Sequence, residues 1–179
     1  MGEAAQSNLA SLEERIEKLE KGNQDRLCLF VFSGDWDKIF SSFVLATGSA
    51  AAGTEVVMFF TFWGVSAIRK KAPAKKNILE KMFGFLLPQN ISSLTLSKFN
   101  FAGIGPFLMN IMVKQKNVSN LEEMRSLAED LGVQIRVCDM SVNILGISRE
   151  EIIDYEHLTH CGVQEFLRDA ADGRLTLYI

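Results

Sequence analysis

A single α/β domain built on a mostly parallel sheet is the fold that this sequence predicts, on three observations. Leu27–Phe32 is a continuous apolar run ending at Ser33-Gly34-Asp35. A strand apolar on both faces belongs in the middle of a parallel sheet. A helical pattern follows from about Asp37 to Ala52, with Gly53 placed to stop it. Val56–Thr61 is then a second continuous apolar run. Strand, helix, strand in this rhythm is a βαβ unit with a right-handed crossover. At 179 residues the chain is long enough for one domain with a substantial core.

The remaining elements follow in order. Residues 1–25 read as an N-terminal amphipathic helix and hinge, and residues 26–179 as the α/β domain. Leu9, Leu12, Ile16 and Leu19 form a short stripe at helical spacing. So short a stripe is not stable alone, so it packs on the domain or on its copy in a second subunit; both readings stand. In the first domain helix the inward face is expected from Phe40, Phe43, Val44, Thr47, Ala50 and Ala51. Residues 65–117 are harder. Short helices fit Val65–Lys70, Asn77–Phe83 and Pro106–Lys116, and Leu94–Leu96 fits a short strand. Gly84, Pro88, Asn90, Gly103 and Gly105 signal loops between them. Ser119 and Glu122 then have capping-box spacing ahead of a stripe of Leu121, Met124, Leu127, Ala128 and Leu131, closed by Gly132. Val133, Ile135 and Val137 alternate with polar residues in a strand that ends at Cys138. Ser141 or Asp139 can cap a short helix through Leu145, stopped by Gly146. Ser148 and Glu151 cap a further turn. Val163–Ala171 is an amphipathic helix, and Arg174–Ile179 a closing strand.

Composition narrows the function classes. A net charge of −3 offers no general electrostatic reason to bind nucleic acid. The basic cluster Arg69, Lys70, Lys71, Lys75 and Lys76 reads as a solvated loop or helix end, with contact to an anionic ligand or to the periphery of a membrane as the alternative. The polar first 25 residues hold no apolar signal core, so a cytoplasmic location is expected. The longest apolar runs, Val56–Ile68 and Phe101–Val113, are shorter than the roughly 20 residues of a transmembrane helix. Both read as buried core, the second alternatively as an exposed surface used in assembly; a homo-oligomer is expected. Three cysteines, unevenly spaced, make no disulfide framework and should be reduced.

Cys138 is the sharpest chemical feature. It lies where a strand ends and a short helix begins, at the carboxyl edge where open α/β sheets bind ligands. Free N–H groups of that helix, starting near Met140 and Ser141, favour a thiolate, while Asp139 opposes it. The competing reading is a small apolar residue closing a strand. Cys28, in the middle of the first strand, reads as an inert buried thiol. His157, His160 and Cys161 cluster in sequence but match no strong zinc spacing, so no metal is expected. A resolving role for Cys161 toward Cys138 stays open beside it. Ser33-Gly34-Asp35-Trp36-Asp37-Lys38 puts carboxylates, a lysine and an open turn at the same edge, although Asp35 or Asp37 can serve simply as a helix cap. There is no phosphate loop, no G-x-S-x-G, no H-E-x-x-H and no C-x-x-C, and no cofactor is expected.

Taken together, Ser33-Gly34-Asp35-Trp36-Asp37-Lys38, Ala50-Ala51-Ala52-Gly53-Thr54-Glu55-Val56, Phe59-Phe60-Thr61-Phe62-Trp63-Gly64, Leu96–Gly105, Cys138-Asp139-Met140-Ser141 with Gly146-Ile147, and Cys161-Gly162-Val163 resemble the DsrE/DsrF-like family, most closely its longer subfamily labelled peroxiredoxin-like. The resemblance runs in order from Leu27 to Ile179. It implies a flavodoxin-like three-layer α/β/α fold and a sulfurtransferase or sulfur carrier that holds sulfane sulfur as a cysteine persulfide or thiosulfonate. Sulfur donor and acceptor proteins are the implied partners. The family cysteine aligns with Cys138, and Ser33, Gly34, Asp35, Asp37, Lys38, Thr61, Trp63, Lys98, Asn100, Asp139, Met140 and Ser141 are the candidate lining residues. Lys98 is a candidate second positive charge, if the Leu96–Gly105 loop folds over the cysteine. The peroxiredoxin label implies no activity here, because no Thr-x-x-Cys motif occurs. The alternative is a non-enzymatic assembly or adaptor protein of the same fold.

Overall fold

Apolar continuity places the first strand in the interior of the sheet, between two parallel neighbours. The computed structural model describes residues 11–16, 24–71, 87–88, 90–98 and 104–179. Within them, β1 (Gln24–Val31), β2 (Glu55–Phe60), β3 (Gln134–Cys138), β4 (Leu158–Cys161) and β5 (Gly173–Tyr178) form one sheet in the order β4-β3-β2-β1-β5. Every adjacent pair is parallel. β1 and β2 are buried on both faces, as their unbroken apolar runs require.

One face is covered by α1 (Trp36–Ala51) and α3 (Leu121–Asp130), which pack on each other. A 3-10 helix (Phe62–Ile68) and α2 (Ile104–Gln115) complete that side. The other face carries α5 (Val163–Asp172), packed on β1 and β5. The arrangement is a three-layer α/β/α, flavodoxin-like fold. Beneath α5 the rings of Phe59 and Phe166 stack with centroids 4.9 Å apart, and Phe30 lies 5.3 Å from Phe166. Such ring pairs add about 0.5–1.5 kcal/mol each beyond the area they bury. Asp169 of α5 receives Arg136 Nε at 3.0 Å and Arg26 Nη1 at 3.4 Å, tying the helix to β3 and β1.

Several expectations shift. The inward face of α1 is Trp36, Ile39, Ser42, Phe43, Ala46 and Thr47, whereas Val44 points to solvent. The face therefore starts at Trp36, because the chain must pack back against β1 directly after its turn. α3 is capped one residue later than expected: Asn120 Oδ1 accepts from the N–H of Glu122 and of Glu123, and Glu123 Oε2 accepts from the N–H of Asn120. Its Leu127 and Leu131 stay substantially exposed. Residues 94–96 form no strand. The carbonyl of Thr95 instead accepts from the N–H of Trp36 at 2.7 Å, which fastens this segment to the start of α1. β4 was not anticipated. Arg69 is not part of a solvated basic cluster: its buried guanidinium donates to Glu151 Oε2 at 2.6 Å and to the Pro88 carbonyl at 3.0 Å. Lys70 pairs with Asp154 at 2.6 Å. The run Phe101–Val113 is not core where it is described, since α2 exposes Ile104, Phe107, Leu108, Ile111 and Met112 and buries Val113. Residues 11–16 are helical and exposed. Leu9, Leu19, Lys75, Lys76, the expected helix over residues 77–83 and Asn100 lie outside the described residues.

Candidate functional site

The carboxyl edge of the sheet gathers most of the expected residues, but not around one point. Cys138 is the last residue of β3 and the N-cap of α4 (Asp139–Ile144). Its backbone opens the helix, but its side chain makes no capping hydrogen bond. Strand alternation turns it instead to the α5 face, among Val57, Phe59, Cys161 and Phe166, where Cys138 is 2% exposed. The sulfur thus sits at the top of an apolar layer. Met140 and Ile144 of α4 are exposed just beyond it.

Its neighbour in the sheet is a second thiol. Cys138 of β3 and Cys161 of β4 are register partners. In-register residues of parallel strands point to the same face, so both side chains join one cluster. All three cysteines are free and buried. Burial pushes the Cys161 thiol up to about 11, with the carboxylate of Glu165 adding to the effect and Arg136 opposing it. Burial does the same to Cys28, also to about 11, helped by Asp169 and opposed by Arg26. Cys28 is remote from the pair. It aligns with Val57, which aligns with Gln134, four residues below Cys138; this separates them by on the order of 13 Å along the strands alone.

Asp139 does not stand as a bare carboxylate beside the thiol. Its Oδ1 accepts from Arg149 Nη2 at 3.1 Å and lies 3.2 Å from His160 Nδ1. This cluster ties the start of α4 to the end of β4 and so holds Cys138 and Cys161 in register. His160 itself lies on the opposite face of β4 from Cys161, and His157 offers its backbone carbonyl to Ile135. Among the described residues no group of three His, Cys, Asp or Glu side chains is arranged to hold a metal. Thr61 at the end of β2 and Ser141 of α4 share a buried hydrogen bond of 2.8 Å, which joins two strand-end loops.

The Ser33–Lys38 segment makes a separate constellation at the end of β1. Ser33 Oγ donates to Asp35 Oδ2 at 2.8 Å, and Lys38 Nζ lies 3.2 Å from the same oxygen. Neither Asp35 nor Asp37 caps α1 with its side chain. Asp37 instead accepts from the Ser97 hydroxyl at 2.6 Å and from its N–H at 2.9 Å. Burial pushes the Asp37 carboxyl up, but these hydrogen bonds outweigh it and hold the group below the usual carboxylate range. Lys98 follows this tether to an apolar groove of about 450 Å³ against α2, lined by Leu96, Ile104, Leu108 and Met112, and not by Cys138. Gly34 and Gly64 are needed for close approach. A Cβ on Gly34 would strike the Trp63 carbonyl, and one on Gly64 the Val31 carbonyl. The ends of β1 and β2 therefore interlock backbone to backbone, leaving Trp63 partly exposed. Sequence reasoning missed β4 and Arg149. Leu-Thr-His-Cys is too short for a periodicity, and only its β-branched threonine hints at a strand.

The DsrE/DsrF/DrsH-like family profile matches residues 23–178, which is the whole sheet and its helices. The chain belongs to that family. A curated relative, the uncharacterized protein YrkE of Bacillus subtilis (strain 168), is 39% identical over 156 residues, covering 86% of this chain and 96% of the relative. The sulfur carrier protein DsrE2 of Allochromatium vinosum is 29% identical over 160 residues, covering 87% and 99%. Among solved structures, the ychN protein of E. coli aligns with a TM-score of 0.47 at 10% identity, over 86% of this chain and 99% of that one. At that level the likeness adds nothing to the fold already described.

Proposed function

We propose that this member of the family is a sulfurtransferase or sulfur carrier that holds sulfane sulfur on Cys138. The observation that carries the reading is the place of Cys138, at the carboxyl end of β3 where the chain turns into α4. A relative of nearly the same length is named as a sulfur carrier, which agrees with it.

The chemistry is two displacements. The Cys138 thiolate attacks a sulfane sulfur of the donor; the new Sγ–S bond forms as the donor's S–S bond breaks, and the donor fragment leaves with the electron pair. An acceptor thiolate then attacks the outer sulfur and releases Cys138 as a thiolate. The apolar cluster around Sγ shields the bound sulfur from water between the two steps. Donor and acceptor are sulfur-handling proteins, and their approach lies over exposed Met140 and Ile144. The residues at the end of β1, from Ser33 to Lys38, shape the neighbouring part of the edge.

A homo-oligomer is part of the proposal, because α2 leaves a ridge of large apolar side chains uncovered, with Phe107 65% exposed. No helix among the described residues is long and apolar enough to cross a membrane. A cytoplasmic location would keep the three thiols reduced. The burial of Cys138 favours a second reading, a non-enzymatic assembly or adaptor protein in which that thiol is structural.

The test is to incubate the protein with polysulfide, remove the excess, digest it, and locate the added sulfur by peptide mass. Sulfur on the peptide that contains Cys138 is the expected result. Preferential modification of Cys28 or Cys161, or no modification with all three thiols still free, would leave the adaptor reading in its place.

A further inference from the structure

Cys161 has no part in the transfer just described, yet it is the residue the sheet sets beside Cys138. We propose that Cys161 is the resolving thiol of this site, which discharges sulfur held on Cys138 as sulfide and closes a Cys138–Cys161 disulfide. The inference rests on Cys138 as the loaded residue and deepens that reading.

The geometry supports it at three points. The two cysteines are in-register neighbours on adjacent parallel strands. Neighbouring strands lie about 4.7–4.9 Å apart, within the Cα separation of about 4.4–6.8 Å that a disulfide tolerates. Both side chains belong to one buried cluster, so no backbone rearrangement is needed to bring them to the same face. The Asp139 carboxylate, directly after Cys138, lies 3.2 Å from Nδ1 of His160, directly before Cys161, and so pins the ends of β3 and β4 together beside the two cysteines. Cys28 cannot substitute, because β2 lies between its strand and β3 and it aligns four residues below Cys138.

The step balances without an external oxidant. In the loaded state Cys138 carries an outer sulfur as Cys138–S–S⁻. The Cys161 sulfur attacks Cys138 Sγ; the Sγ–Sγ bond forms and the bond to the outer sulfur breaks. That sulfur departs with the electron pair and takes the Cys161 proton, leaving as HS⁻. The sulfane sulfur is reduced to sulfide and the two thiols are oxidised to the disulfide. A further turnover consumes a dithiol, which reopens the disulfide and is itself oxidised to a cyclic disulfide.

Burial holds Cys161 in its protonated form near neutral pH. It is therefore a poor nucleophile toward an external donor at that pH, and its part comes in the second step, where the register of the sheet sets it beside Cys138. The discharge accelerates as pH rises toward the Cys161 value, because the attacking species is the thiolate.

The experiment loads the full chain with polysulfide, desalts it, and follows three quantities without added reductant: sulfur on the Cys138 peptide, free sulfide, and a disulfide-linked Cys138–Cys161 peptide. Wild-type protein is expected to load, then release sulfide as the cross-linked peptide grows in. In C161S and C161A the sulfur should stay on Cys138, with sulfide release slowed roughly tenfold or more, because an intramolecular nucleophile has been removed. C28S should behave as wild type. Since the cross-link is read in the wild-type protein, a folding defect in either Cys161 variant leaves that measurement intact. Loaded wild-type protein that keeps its sulfur on Cys138 and forms no cross-link overturns the inference while leaving the carrier reading standing. Absence of loading on Cys138 in every variant overturns both.

Discussion

The three thiols belong to one buried apolar cluster, and two of them also meet nearby carboxylates. Cys28 and Cys161 are pushed up to about 11, first by burial and then by nearby carboxylates. Near neutral pH both stay protonated, so a soluble alkylating reagent should label neither in the native protein, and should label both after unfolding. Mass spectrometry of native and denatured samples checks this. The same shifts set an alkaline limit on stability. A folded value raised above the unfolded one gives a contribution that is complete below about 9 and is lost as pH rises through about 11. Unfolding midpoints should therefore fall across that window, and less steeply in C28A, where one of the two groups is gone. Cys138 was singled out from the sequence because an alternating strand ends there and a helix begins. Its pairing with Cys161 was not legible, because it depends on the register of β4, a strand of four residues with no periodicity of its own. The helix N–H groups expected to favour the thiolate donate no capping hydrogen bond to it, because alternation along β3 sends Sγ sideways into the α5 layer.

At the scale of the elements, loops at the carboxyl edge are fastened by a few specific contacts. The Arg69–Glu151 pair is buried at 2.6 Å and joins the 3-10 helix to the turn after α4. Replacing Glu151 by Gln leaves the Arg69 guanidinium buried without its counter-charge, and the expected loss is about 3–5 kcal/mol in denaturant unfolding. Asn120→Ala removes the capping interaction of α3 and should cost about 1 kcal/mol. Gly64→Ala drives a Cβ into the Val31 carbonyl, so the ends of β1 and β2 must separate, at a cost of about 1–3 kcal/mol. The βαβ start was readable because continuous apolar runs force β1 and β2 into the interior of the sheet. The segment around residue 95 was misread as a strand because Leu94, Thr95 and Leu96 carry strand-like residues. Tertiary contact decided otherwise, through the Thr95 carbonyl and the Ser97 tether to Asp37.

For the molecule as a whole, the order β4-β3-β2-β1-β5 places every strand's carboxyl end at one edge. That edge divides into two stations: the Cys138–Cys161 end over β3 and β4, and the Ser33–Lys38 end over β1. The apolar ridge of α2 lies near the second. Light scattering at micromolar concentration should report a homo-oligomer, and Phe107→Glu should shift it toward smaller species; a monomeric wild-type chain contradicts that expectation. The central claim, that Cys138 is the thiol that bears sulfane sulfur, is tested most directly by cyanide-labile sulfur in C28S/C161S protein, whose only thiol is Cys138, compared with C138S protein after identical polysulfide loading. The expected result is labile sulfur on the first protein and background on the second. Equal labile sulfur on both, or none on the protein that retains Cys138, would contradict it.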